Sequence, residues 1–181
     1  MDKQGKHSTG RLIWNALATY GLSWFWVTVV LSLLHALSLS SVLSSKIPHL
    51  SVSVSLLKYF PEVADVVMAS PGLTLFMVLV FAPVIEEAIF RLLPLTIVQL
   101  VRKPQLTRAV LIVVCGIAFG LAHGHPLNVF IQGFAGLMLG HLYLKNARSQ
   151  LSSYLSCVAV HAMYNLTVIM VALMSVPAGG S

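Results

Sequence analysis

An all-α bundle of about five to six membrane-spanning helices is the fold class that this sequence predicts, on three observations. Hydrophobic residues make up 57% of the 181 residues, charged residues only 9%, and the mean hydropathy is +0.89. A soluble domain carries about 25% charged residues, so an ordinary water-soluble globule and a disordered chain are both excluded. The 11 basic residues fall in short clusters between long apolar runs. The net charge of +6 is therefore no nucleic-acid surface; it marks the loops of a polytopic membrane protein. The length suits a single integral membrane domain over 1–181, with no room for a separate soluble one. Cys115 and Cys157 both lie in apolar runs and read as small buried hydrophobes.

The first apolar run covers 12–39, with Trp14, Tyr20, Trp24 and Trp26 near its start and Lys3, Lys6 and Arg11 before it. It is too long for a cleaved signal, whose apolar region runs about 7–15 residues, so an uncleaved signal anchor is expected. Residues 40–62 are Ser-rich, with an alternating Ser-Val stretch at 51–55 that fits a short extended piece or an interfacial segment. A short helix is expected over 62–70, leading into a second span at about 72–101 that Pro83 and Pro94 should break. The third span covers 107–124, and His125-Pro126 makes a tight turn. The fourth runs over about 127–144, where Gly136 and Gly140 share one face and allow a close helix approach. The fifth covers about 151–175, before a flexible, uncharged tail. On a five-span model eight of the eleven basic residues fall on one side. The positive-inside rule then puts the N-terminus in the cytoplasm and the C-terminus outside.

Ionisable residues at a bilayer centre cost about 2.5–3.5 kcal/mol each on insertion scales. Glu86, Glu87 and Arg91 nevertheless occupy six residues of the second span. Glu87 and Arg91 are four apart, so Arg91 can clamp Glu87. Glu86 lies about 100° further round the helix and is free to face the bundle interior, where loss of water makes a carboxylate a better proton acceptor. His123 ends the third span, with Phe119 on the same face; His161 and Asn165 share a face of the fifth. At 1.5 Å rise per residue from the cytoplasmic ends, Glu86 and His123 lie roughly 24 Å deep, Asn165 roughly 21 Å and His161 roughly 15 Å. Polar groups from three helices thus converge on one layer in the outer half of the membrane. His35, His141 and His125 read as structural or turn residues, and His7 and His49 lie in loops.

A carboxylate, imidazoles and a carboxamide suit hydrolysis of a peptide bond by an activated water. Glu86 would deprotonate the water with help from His123; His161 and Asn165 would donate to the oxyanion. Other intramembrane protease chemistries lack their parts. The sequence has no His-Glu-x-x-His, no Asp in a confident span and no Gly-x-Ser-x-Gly, and Ser152, Ser153 and Ser156 stand away from the site depth. Zinc held by Glu86, His123 and His161 is a second reading on ligand type, placed second because no ligand pair has close helical spacing.

These residues resemble the CPBP family, the CAAX proteases and bacteriocin-processing enzymes also called Abi. Glu86-Glu87-Ala-Ile-Phe-Arg91 is similar to its Glu-Glu-x-x-x-Arg motif, Phe119-Gly-Leu-Ala-His123 to its Phe-x-x-x-His motif, and His161-Ala-Met-Tyr-Asn165 to its His-x-x-x-Asn motif. The Ala82-Pro83 lead-in and the glycine-bearing stretch from Gly133 to Tyr143 also fit, so the resemblance covers about 72–170. It implies a helical intramembrane glutamic endopeptidase with Glu86, His123, His161 and Asn165 as catalytic residues and Glu87 and Arg91 as site support. It implies no cofactor, although the family was long described as metalloproteases. One departure is Leu92, where many members have Gly.

The small chain reads as bacterial, so the expected location is the inner (plasma) membrane. A site nearer the outer face points to an exported or membrane-anchored peptide, such as a C-terminal sorting anchor or a bacteriocin leader. The expected partners are therefore membrane lipid and a peptide or protein substrate, with no nucleic acid. The rival readings are a non-catalytic membrane immunity or partner protein, a proton-coupled carrier using Glu86 and the histidines, and hydrolysis of lipid amides or esters. Five spans without repeated halves argue against the carrier.

Overall fold

The computed structural model describes residues 3–39, 63, 65–100, 105–124, 128–146 and 149–174. They form a bundle of helices, with no strand among the described residues. Helix α1 is Lys3–Leu39. After a helical turn at 65–69, α2 runs without interruption through Pro71–Phe76, Met77–Phe81, Ala82–Glu87, Ala88–Leu92 and Leu93–Leu100. Helix α3 is Gln105–Ala122, α4 is Asn128–Lys145 and α5 is Gln150–Met174. The expectations for 40–62, for the His125-Pro126 turn and for the tail lie outside the described residues.

Among the described residues, three helices are long and apolar enough to cross a membrane: α1 over Thr9–Leu33, α2 over Pro71–Val98, and α5. Helix α3 carries a shorter apolar stretch, Leu106–Ala122. Phe25, Leu33, Phe76, Ile89, Val113 and Leu166 are among many large apolar side chains left exposed. Water does not tolerate apolar surface on this scale. With its spans, this makes the chain an integral membrane protein.

Helices α3 and α4 form the tightest pair. Glycine makes the contact possible: a Cβ on Gly120 would stand 2.5 Å from Val129 Cα and 2.7 Å from Asn128 O. At the end of α3 the chain turns through Gly124 at φ 83°, a left-handed conformation that suits glycine. Asn128 Nδ2 then donates to His123 O at 2.8 Å and fastens the turn to the start of α4. Toward the other end of the bundle, Leu95, Leu139, Leu142, Tyr143, Cys157 and Val160 pack into a core joining α2, α4 and α5.

Helix α1 lies across α4 and α5. Its buried positions, Asn15, Thr19, Ser23 and Val27, recur every four residues and are mostly polar. Asn15 Nδ2 donates to Asn146 Oδ1 at 2.9 Å, and Tyr20 shares a 2.6 Å hydrogen bond with Thr167. Trp24 stacks on Tyr164, and Trp26 stacks on Phe134 while donating to Phe130 O at 2.7 Å. Such interhelical bonds and close packing hold helices together where lipid removes the hydrophobic drive.

Candidate active site

Pro83 and Pro94 do not break α2, as the sequence had suggested; they widen it. In each of two five-residue π turns, Met77–Phe81 and Ala88–Leu92, the residue just before the proline closes the turn with a bond five residues back. Ala82 N–H reaches Met77 O, and Leu93 N–H reaches Ala88 O. A proline ring clashes with the carbonyl four residues back, and a wider turn moves that carbonyl aside. In this register Pro83 would next bond Val78 O, but proline has no N–H. Asn165 Nδ2 on α5 donates to Val78 O instead, at 2.9 Å. Tyr154 adds a second tie between the helices, donating to Val84 O at 2.8 Å.

Glu87 and Arg91 are completely buried. Arg91 Nη1 donates to Glu87 Oε1 at 2.9 Å, and His161 Nδ1 donates to the same oxygen at 2.8 Å. The guanidinium carbon lies 4.2 Å from the centre of the Phe119 ring, which offers it a π face. Phe119 meets Phe90, His123 and His161 edge to face. Space for this group comes from Gly136, where a Cβ would stand 2.8 Å from Arg91 Nη2 and 3.3 Å from Gly116 Cα.

His123 lies in the turn just beyond the last residue of α3. Its Nδ1 donates to Phe119 O at 2.8 Å, so its Nε2 is left to face Glu86. The pairing of Nδ1 with Glu87 does the same for His161. Nε2 of His123 is 4.0 Å from Glu86 Oε2, and Nε2 of His161 is 3.8 Å from it. The carboxylate therefore sits between two imidazoles whose tautomers are set from behind. Both separations are too long for a direct hydrogen bond.

Glu86, His123, His161 and Asn165 all line one cavity of about 540 Å³. The structure thus brings together all four residues expected from the sequence, with Glu87 and Arg91 directly behind them. Sequence reasoning missed the remaining wall: Tyr20 and Ser23 from α1, Gln132 from α4 and Tyr164 from α5. A signal for α1 existed, since Asn15, Thr19 and Ser23 recur at helical spacing in an otherwise apolar run. Among the described residues, no group of three or more His, Cys, Asp or Glu side chains is placed to hold a metal ion.

Comparison with curated proteins and with solved structures returned no match. A family model described as type II CAAX prenyl endopeptidase Rce1-like matches residues 68–167, more than half of the chain, including Glu86, His123, His161 and Asn165.

Proposed function

The chain belongs to the Rce1-like family of type II CAAX prenyl endopeptidases, and from that membership we propose that it is an intramembrane peptidase that cuts with a water activated by Glu86. The observation that carries this reading is the convergence of Glu86 Oε2 with two imidazole Nε2 atoms at 3.8 and 4.0 Å. One water bridges groups at such separations.

The chemistry follows from the hydrogen bonds. Glu86 takes a proton from the water, while the free lone pair of His123 accepts its other hydrogen and holds it in line. The water oxygen attacks the carbonyl carbon of the scissile peptide, and the carbonyl oxygen becomes an oxyanion. Asn165 uses one N–H on Val78 O and offers the other to that oxygen. His161, bonded through Nδ1 to Glu87 Oε1, donates to the oxyanion through Nε2 when both its nitrogens carry protons. The proton held on Glu86 passes to the departing amine as the C–N bond breaks, so charge and protons balance over the cycle. No step calls for a cofactor.

Lipid surrounds the enzyme in this reading, and the substrate is an exported or membrane-anchored peptide, such as a C-terminal sorting anchor or a leader. The home membrane is a bacterial plasma membrane. The test is cleavage by the purified, detergent-solubilised chain, followed by mass spectrometry of the products of a membrane fraction. Glu86→Gln is expected to abolish cleavage and His123→Ala to reduce it at least about 100-fold, with both variants folded. Wild-type cleavage is expected to persist in excess chelator. Undiminished cleavage by folded Glu86→Gln protein overturns the mechanism.

A further inference from the structure

Most of the cavity wall is apolar, and most of its polar groups are already engaged. Ser23 Oγ donates to Thr19 O at 2.9 Å, Thr74 Oγ1 donates to Val66 O at 3.3 Å, and Tyr20 is bonded to Thr167. Two of the lining residues hold a buried side-chain oxygen with no hydrogen-bond partner among the described residues: Oε2 of Glu86 and Oε1 of Gln132. Glu86 belongs to the water-activating group. Gln132 does not, and it stands outside the three sequence motifs.

Gln132 shares the cavity-facing side of α4 with Ala135 and Leu139, three and seven residues on. The glycines of α4 lie on the adjoining face, with Gly133 and Gly136 against Gly116 and Gly140 against Ile112. The carboxamide therefore stands on the wall that α2, α3 and α5, the bearers of the catalytic groups, leave to α4. A buried carbonyl oxygen without a donor is costly, above all where lipid excludes water. Apolar walls can hold a peptide's side chains but offer its backbone N–H groups nothing. An amide oxygen fixed among them can.

We propose that Gln132 is a substrate-binding residue whose side-chain oxygen accepts the backbone N–H of a residue flanking the scissile bond. The proposal rests on the peptidase reading above and refines it: the substrate must present a free N–H at that position, so a proline or an N-methylated residue there is rejected.

The test uses the full chain in detergent micelles and a fluorophore–quencher peptide with an aliphatic centre, together with copies carrying one backbone N-methyl group each. In the wild type, one N-methyl position is expected to raise KM about 10-fold with kcat little changed. Gln132→Leu raises KM about 10-fold on the parent peptide and becomes indifferent to that same methyl group. Its thermal unfolding is not lowered, because the oxygen it loses has no partner among the described residues; a purely structural role would lower it. Binding to the Glu86→Gln protein, with and without Gln132→Leu and read by fluorescence anisotropy, gives the same pattern in Kd without turnover. N-methyl penalties that are equal in both proteins at every position overturn the proposal, and so does a wild type with no penalised position. That binding pattern without cleavage by the wild type upholds Gln132 and overturns the peptidase reading alone. A chain that neither binds nor cleaves these peptides overturns both.

Discussion

Glu87 Oε1 is shared by Arg91 and His161. Arg91 makes a buried carboxylate tolerable, and that carboxylate fixes which nitrogen of His161 faces Glu86. Removing one partner of a buried pair costs about 3–5 kcal/mol, so the clamp is structural, and in the mechanism proposed above it also orients an oxyanion donor. Gly136 is the space it occupies. In Gly136→Ala the new methyl meets Arg91 Nη2 at 2.8 Å and the α3 backbone at 3.3 Å. The backbone cannot yield, because α3 is held against α4 along its length. We expect a loss of about 1–3 kcal/mol, measured as lowered thermal unfolding in detergent, together with loss of cleavage. Gly21→Ala in α1, with nothing within 4 Å of the new methyl, is the control and leaves unfolding unchanged or raised. The Glu87–Arg91 pairing could be read from a spacing of four. The bond to His161 could not, because two helices must be docked before a contact 74 residues apart in sequence exists.

At the scale of elements, long apolar runs located α2 to α5 to within about two residues, since lipid demands such runs, but α1 begins at Lys3, well before the apolar run at 12–39. What they hid was the backbone inside α2. A proline in a span reads as a break, yet here each proline comes two residues after the end of a π turn. The turn before Pro83 frees Val78 O for Asn165. Pro83→Ala restores an N–H that competes for that carbonyl and releases the Asn165 amide. The expected result is kcat lowered about 10- to 100-fold, less than the loss of a whole oxyanion donor, with stability kept or raised because alanine suits a helix interior. The double variant Pro83→Ala, Asn165→Ala should be no slower than Asn165→Ala alone. Additive losses would show that Pro83 acts by another route. The polar seam of α1 was visible as Asn15, Thr19 and Ser23, but a single sequence did not say which helices it would meet.

For the whole molecule, the cavity lies where α3 ends and α4 begins and adjoins the core, with which it shares Leu139 and Val160. On the orientation we propose from the distribution of basic residues, that end of the bundle faces the outside and the N-terminus the cytoplasm. Membrane-impermeant thiol labelling of intact cells checks this in a chain whose own cysteines are replaced. Lys58→Cys should label from outside, and Lys103→Cys only after permeabilisation. The reverse pattern would turn the site toward the cytosol and make cytosolic lipid-anchored proteins its substrates.

The π turns of α2 also bear on how this helix can change length. Each is what an ordinary helix becomes when one residue is slipped in and the chain bulges rather than snaps. Deleting a single residue from 77–81 would draw the bulge tight and bring the Pro83 ring back against a carbonyl. Deletion and loss of the proline must therefore occur together. Descendants of this gene are free to shorten the helix only by surrendering, in the same event, the loose carbonyl that steadies Asn165.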